Sequence, residues 1–188
     1  MKLRNKKPAL ILIDVQKAFL DEDCWGGNRN NKNAEAICGK ILEKWRELNL
    51  PLFHIRHSSK NLNSKLNQSN RGFEFNDDVL PIKNEPIITK DVNSAFIGTD
   101  LKEQLDHLNI DTLVIAGITT NHCVSTTTRM AGNFGYETYL ISDATATFDR
   151  IGINGEKYDS ETIHLTTLAN LNEEFATVWG FEKLMSEI

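Results

Sequence analysis

The chain is 188 residues long, 40% hydrophobic and 25% charged, which describes one ordinary folded domain spanning residues 1–188 and excludes a disordered or fibrous chain. A formal net charge of −5 supplies no sequence-wide basic footprint, so neither nucleic acid nor a membrane is expected as a partner. The apolar run at 9–13 behind the basic N-terminus is too short for a signal-peptide core, and a cytoplasmic protein is expected.

Short β-branched runs alternate with longer amphipathic segments, with no repeat or low-complexity stretch, and this pattern predicts a doubly wound sheet. The first strand, 9–13, is apolar on both faces as a central parallel strand should be, and it ends at Asp14. A helix over 33–48 gathers Ile37, Ile41, Leu42, Trp45 and Leu48 on one face, and Pro51 introduces a second strand at 52–56. The polar, Asn- and Ser-rich segment from His57 to Glu85 reads as an ordered loop because Phe73, Phe75, Val79, Leu80 and Ile82 are embedded in it. A brief third strand at 86–89 ends at Lys90, and a helix from about Thr99 or Asp100 to Asn109 shows Leu101, Leu105 and Leu108 on one side.

The fourth strand, 112–116, runs into Gly117-Ile118-Thr119-Thr120-Asn121-His122-Cys123-Val124, and a helix over about 121–133 turns Val124, Thr127, Thr128 and Ala131 inward. A fifth strand at 136–142 stops at Asp143-Ala144; a helix at about 160–175 displays Ile163, Leu168 and Leu171, and a sixth strand follows at 176–179. The expected architecture is α/β: a three-layer α/β/α sandwich around a six-stranded, mostly parallel, Rossmann-like sheet.

Asp14, Lys90 and Cys123 each follow a predicted parallel strand, so all three fall on the rim where such sheets hold their ligands. Taken singly, each has an ordinary structural use as a turn carboxylate, a surface amine or a small core residue. Together they form a coherent nucleophilic site. A thiol with a reference pKa of about 8.5 needs help, which Asp14 supplies as a base and Lys90 as a neighbouring cation. Helix N–H groups after Gly117 add positive potential, and the Thr119 and Cys123 N–H groups are candidate donors to a tetrahedral oxyanion. Cys24 and Cys38 complete a set of three cysteines whose spacing fits neither a zinc site nor a disulfide framework, so all read as free thiols.

The segments Leu10-Ile11-Leu12-Ile13-Asp14-Val15-Gln16-Lys17-Ala18-Phe19, Lys90 with Ser94-Ala95-Phe96, Val114 to Val124, and Ser142-Asp143-Ala144 stand in an order that resembles the isochorismatase-like cysteine hydrolases over nearly the whole chain. That family includes nicotinamidase and N-carbamoylsarcosine amidohydrolase. The resemblance implies a catalytic triad of Asp14, Lys90 and Cys123, a cis peptide between Ile118 and Thr119, and an acyl-enzyme cycle on a small amide, ureido or lactam substrate. It also implies a homodimer or homotetramer whose subunits complete one another's sites.

The chain departs from the nicotinamidase pattern at Ile55-Arg56-His57, where those relatives carry an Asp-x-His metal triplet. His54 and His57 sit at an odd separation on a strand and face opposite ways, so no metal and no cofactor are expected. His57 is instead a candidate donor in the pocket. Phe19, Trp25 and Phe96 are candidates for an apolar wall, and Gln16, Thr120 and Asn121 for polar contacts. His122 adjoins Cys123, but neighbouring residues at a helix start do not aim at each other, so it reads as structural. Two other functions fit the same pattern: an isochorismatase-type ether hydrolase, against which retention of Cys123 counts, and a non-catalytic ligand-binding or scaffold protein. No Gly-rich phosphate loop follows the first strand to support a nucleotide site.

Overall fold

A computed structural model describes residues 2–188. Six parallel strands, β1 (Ala9–Ile13), β2 (Leu52–His57), β3 (Ile87–Lys90), β4 (Thr112–Ile118), β5 (Glu137–Ala146) and, after a short hairpin, β8 (Thr177–Trp179), form one sheet in the order β3-β2-β1-β4-β5-β8. The order reverses between β1 and β4, and a crevice at that switch point is where doubly wound folds place their ligands.

The helices α1 (Ala34–Glu47), α2 (Leu101–His107), α3 (Ser125–Asn133), α4 (Ser160–Leu171) and α5 (Phe181–Glu187) cover both faces of the sheet. Alternate residues of β1 serve opposite layers. Ala9, Ile11 and Ile13 pack with Leu101 and Leu105 of α2, Ala131 of α3 and Leu168 and Leu171 of α4. Leu10 and Leu12 pack with Ile41, Leu42 and Trp45 of α1 and Leu184 of α5. Each such fully buried aliphatic chain contributes roughly 1.5–3 kcal/mol, so β1 anchors the molecule from both sides. Among the described residues no helix is long and apolar enough to cross a membrane.

Several boundaries differ from those the sequence pattern suggests. β5 does not stop before Asp143 but continues to Ala146, because its pairing with β4 slips from Ile115↔Leu140 to Gly117↔Thr145 and the intervening residues bulge out. Leu108 is exposed, since α2 ends one residue before it, and α4 ends at Leu171 instead of reaching Phe175. The hairpin β6 (Arg150–Ile151) and β7 (Lys157–Tyr158) and the helix α5 were not anticipated, being short and without a clear period. Asp143 accepts the Phe181 N–H at 2.9 and 3.1 Å and so caps α5.

The Asn-rich loop between β2 and β3 is ordered by its own composition. Asn61, Asn67, Asn70 and Asn76 each accept the N–H two residues ahead at 3.0–3.1 Å, a chain of Asx turns. Phe75 and Val79 are buried beneath it, whereas Leu80 and Ile82 are exposed.

Candidate active site

Asp14 is the first residue past β1, with φ at 51°, and its N–H still joins the ladder by donating to the Ile55 carbonyl at 2.9 Å. Its side chain is fully buried. β3 is an edge strand that alternates exposed and buried positions, so Ile87 and Thr89 point outward while Lys90 points inward and is only 2% exposed. The Lys90 ammonium donates to Asp14 Oδ2 at 2.6 Å and lies 3.3 Å from His57 Nδ1. Among the described residues Asp14 Oδ1 has no hydrogen-bond partner. A buried carboxylate oxygen left in this condition is a place where a proton can be received.

β4 leads through a cis peptide between Ile118 and Thr119 into a π-helical turn, Thr120–Val124, that carries Cys123 and runs directly into α3. Gly117 makes this approach possible: its φ is 135°, and a Cβ there would lie 2.0 Å from the Ile13 carbonyl oxygen. The Thr119 carbonyl accepts the N–H groups of His122 and Val124 at 3.2 and 3.3 Å, which fixes the turn. One Asp14 oxygen, one His57 ring nitrogen and Cys123 Sγ all lie within 4.8 Å of one another. The Cys123 thiol also faces Asn93 Oδ1 at 3.8 Å.

The electrostatics differ from a simple activated thiolate. Burial, then the charge of Asp14, push the Cys123 thiol well above its ordinary range, and Lys90 only partly offsets them. The Cys123 thiol therefore rests protonated beside the Asp14–Lys90 pair. His57 is held below its usual pKa by burial first and by the Lys90 charge second, so it is neutral near pH 7. With Nδ1 turned to the ammonium, its proton belongs on Nε2.

Cys123 opens onto a cavity of about 390 Å³, the size of a small-molecule site. Phe19, Trp25 and His57 line it, together with Thr119 and Cys123. The Phe19 and Trp25 rings meet at 4.8 Å, and both lean on the buried Phe148. The other pocket candidates lie elsewhere. Gln16 is consumed as a clamp between loops, donating to the His57 and Phe73 carbonyls and accepting the His57 N–H at 2.8 Å. Phe96 is in the core against Phe134 and Tyr136. Thr120 is buried with its hydroxyl 3.0 Å from His164 Nδ1, and Asn121 accepts the Thr147 hydroxyl at 2.5 Å.

Sequence reasoning missed Ser59, Ser64, Leu66, Asn93 and Arg150, all of which line the cavity. His122 lines it as well, its Nδ1 3.2 Å from the Thr119 hydroxyl. Proximity to Lys90 was a usable signal for Asn93; no motif marked the others.

The nicotinamidase-type metal triplet does not assemble, because Ile55 is apolar and fully buried. His54 is turned to Glu85 Oε2 at 2.8 Å, on the opposite side of β2 from the cavity. Among the described residues one set of donors converges, Asp14, His57 and Cys123. It does not fit a divalent ion, because the Lys90 ammonium already stands against both Asp14 and His57 and would repel a second cation.

The fold and this rim define a doubly wound α/β protein with a buried acid, amine and thiol at the carboxyl ends of three parallel strands. The chain belongs to the isochorismatase family: the isochorismatase domain matches residues 8–182. It is 50% identical over 183 residues to the isochorismatase family protein YrdC of Bacillus subtilis, with 97% of each chain covered. An isochorismatase-family protein structure from Chromobacterium violaceum superposes with a TM-score of 0.94 at 38% identity, covering 100% of this chain and 96% of that one. Nicotinamidase 3 of Arabidopsis thaliana is 28% identical over 96% of this chain and 88% of its own length.

Proposed function

We propose that this isochorismatase-like hydrolase is a cysteine-dependent amidohydrolase that cleaves a small amide, ureido or lactam C–N bond with Asp14, Lys90 and Cys123 as its triad. The observation that carries the reading is the unpartnered Oδ1 of Asp14, a carboxylate with one oxygen within 4.8 Å of the Cys123 thiol that opens onto the cavity. A relative named for acting on nicotinamide, itself an amide, supports it.

In the proposed cycle Asp14 takes the Cys123 proton as sulfur bonds to the carbonyl carbon. The oxyanion is met by the Thr119 and Cys123 N–H groups. Its collapse breaks the C–N bond, and protonated Asp14 passes its proton to the leaving nitrogen, releasing ammonia or an amine. Water then gives a proton to Asp14 and its oxygen to the thioester carbon, and the departing sulfur recovers the proton. Lys90 holds the Asp14 carboxylate in place between steps through its 2.6 Å hydrogen bond, while His57 Nε2–H donates to a polar atom of the substrate. Phe19 and Trp25 form an apolar wall for a planar group.

No cofactor enters this cycle, and a small-molecule amide is its partner. Assembly as a homodimer or homotetramer belongs to the same reading and is checked by sedimentation velocity.

The test is ammonia release, or ring opening for a cyclic amide, from nicotinamide, maleamate, N-carbamoylglycine, biuret and simple lactams. At least one turns over, and Cys123→Ala lowers its rate by on the order of 10³-fold or more with an unchanged circular dichroism spectrum. Turnover retained in that variant would point to direct attack by water and sink the thioester route.

A further inference from the structure

One buried imidazole takes no part in the proposed cycle. His164 sits one turn into α4, only 3% exposed, on the face that continues with the apolar Leu168 and Leu171. The helix is held at its start, where Asp159 accepts the Thr162 N–H at 2.9 Å, and by those two leucines in the core. The ring lies between two polar groups. Its Nδ1 is 3.0 Å from the Thr120 hydroxyl, and its Nε2 is 3.4 Å from Asn31 Nδ2. From that nitrogen Asn31 donates to the Ser142 and Thr145 carbonyls at 3.0 and 2.7 Å, at the β5 bulge.

An amide nitrogen accepts no hydrogen bond, and both Asn31 amide protons are committed to carbonyls, so the ring proton belongs on Nδ1 and is donated to Thr120 Oγ1. Burial holds the His164 pKa below its usual value against the opposing charge of Glu161, so the imidazole is neutral near pH 7. Thr120 is fully buried and opens the π-helical turn that carries Cys123. The next residue, Asn121, accepts the Thr147 hydroxyl at 2.5 Å. The turn is thus tied by two side chains to α4 and to the chain just past β5. An imidazole costs more to bury than a third leucine on this face would, and the hydrogen bond it donates goes to the turn that bears the thiol.

We propose that His164 is a positioning residue: by its hydrogen bond to Thr120 it fixes the entry of the turn, and with it the Cys123 sulfur beside Asp14. That this sulfur attacks an amide rests on the function proposed above; its placement does not, and is read by chemistry that needs no substrate. In its place the sulfur is both buried and close to the Asp14 charge, and each raises the thiol. A turn released from His164 lets the sulfur drift from that place, so that it ionises more readily while meeting a bound carbonyl less often. The two effects have opposite signs, faster alkylation and slower catalysis.

The test compares Thr120→Val, which removes the hydroxyl at nearly constant shape, His164→Leu, the double variant, and His164→Asn, whose amide can donate from the place of Nδ1. At a fixed pH, iodoacetamide is expected to label Cys123 roughly 10-fold faster in each single variant than in the wild type, and no faster still in the double variant, as read by mass spectrometry. On any amide that the wild type turns over, Thr120→Val and His164→Leu should each lose on the order of 10-fold in kcat with little change in KM. His164→Asn should restore part of both. Wild-type labelling rates in the two single variants, increases that multiply in the double variant, or no recovery with His164→Asn overturns the proposal. Should His164→Leu not fold, Thr120→Val decides alone, and a wild-type labelling rate in it overturns the proposal. Accelerated labelling as stated, with no amide turned over by the wild type, would instead overturn the amidase reading and leave the role of His164 standing. Turnover by the wild type with unaltered labelling in the variants would do the reverse.

Discussion

A carboxylate, an ammonium and a thiol packed into one buried cluster can move a proton among themselves without changing their net charge, so burial does not oppose the proposed first step. Burial does oppose a free thiolate, and the Asp14 charge reinforces that opposition at Cys123. The sign of one substitution follows. Asp14→Asn removes the negative neighbour that raises the thiol, so the alkylation of Cys123 by iodoacetamide should set in at lower pH than in the wild type, although catalysis is lost. Mass spectrometry of peptides labelled across a pH series checks this, with Cys123 resolved from the exposed Cys24; an onset at the same or higher pH would show that Asp14 does not govern the thiol. Sequence reading singled out Asp14, Lys90 and Cys123 because each comes immediately or shortly after an apolar run, and their side chains do meet in the structure. It misplaced Gln16, Thr120 and Phe96 because closeness in sequence to a reactive residue does not say where a side chain points. Gln16 was claimed by backbone carbonyls, Thr120 by His164 and Phe96 by the core.

Among the elements, the second strand is tied to its surroundings by one carboxylate. Glu85 accepts two bonds from Arg46 of α1 at 2.7 and 2.8 Å, one from the Ile82 N–H, and meets His54 of β2 at 2.8 Å. Burial alone would raise its pKa, but Arg46, the Ile82 N–H and His54 together hold it at about 2, against an ordinary value of 4.5. A depressed carboxylate stabilises the fold fully above its unfolded pKa and loses that contribution as pH falls through its folded one. The difference in unfolding free energy between wild type and Glu85→Gln should therefore be largest above pH 4.5 and shrink towards pH 2, as read by urea titrations across that window. A difference independent of pH would show that Glu85 acts by packing alone. The strands and long helices were readable because burial on both faces or on one stripe imposes a period. The β5 bulge and the β6–β7 hairpin impose none, and Arg150, carried by that hairpin, was invisible for the same reason.

At the scale of the molecule, the sheet order brings the ends of β1, β3 and β4 to one crevice although Asp14 and Cys123 stand far apart in sequence. Membership of the isochorismatase family was readable from the ordered motifs, and the domain match over residues 8–182 establishes it. The substrate was not readable, because much of the cavity wall comes from Trp25, the Asn-rich loop and the hairpin, segments without a helical or strand period in the sequence. Whatever that substrate is, the proposed chemistry leaves a covalent trace at one residue. Wild-type protein quenched in acid during turnover of an amide that releases ammonia should carry the acyl fragment on Cys123, labile to hydroxylamine and absent from Cys24 and Cys38. Steady turnover with Cys123 unmodified, and undiminished in Cys123→Ala, would contradict the account.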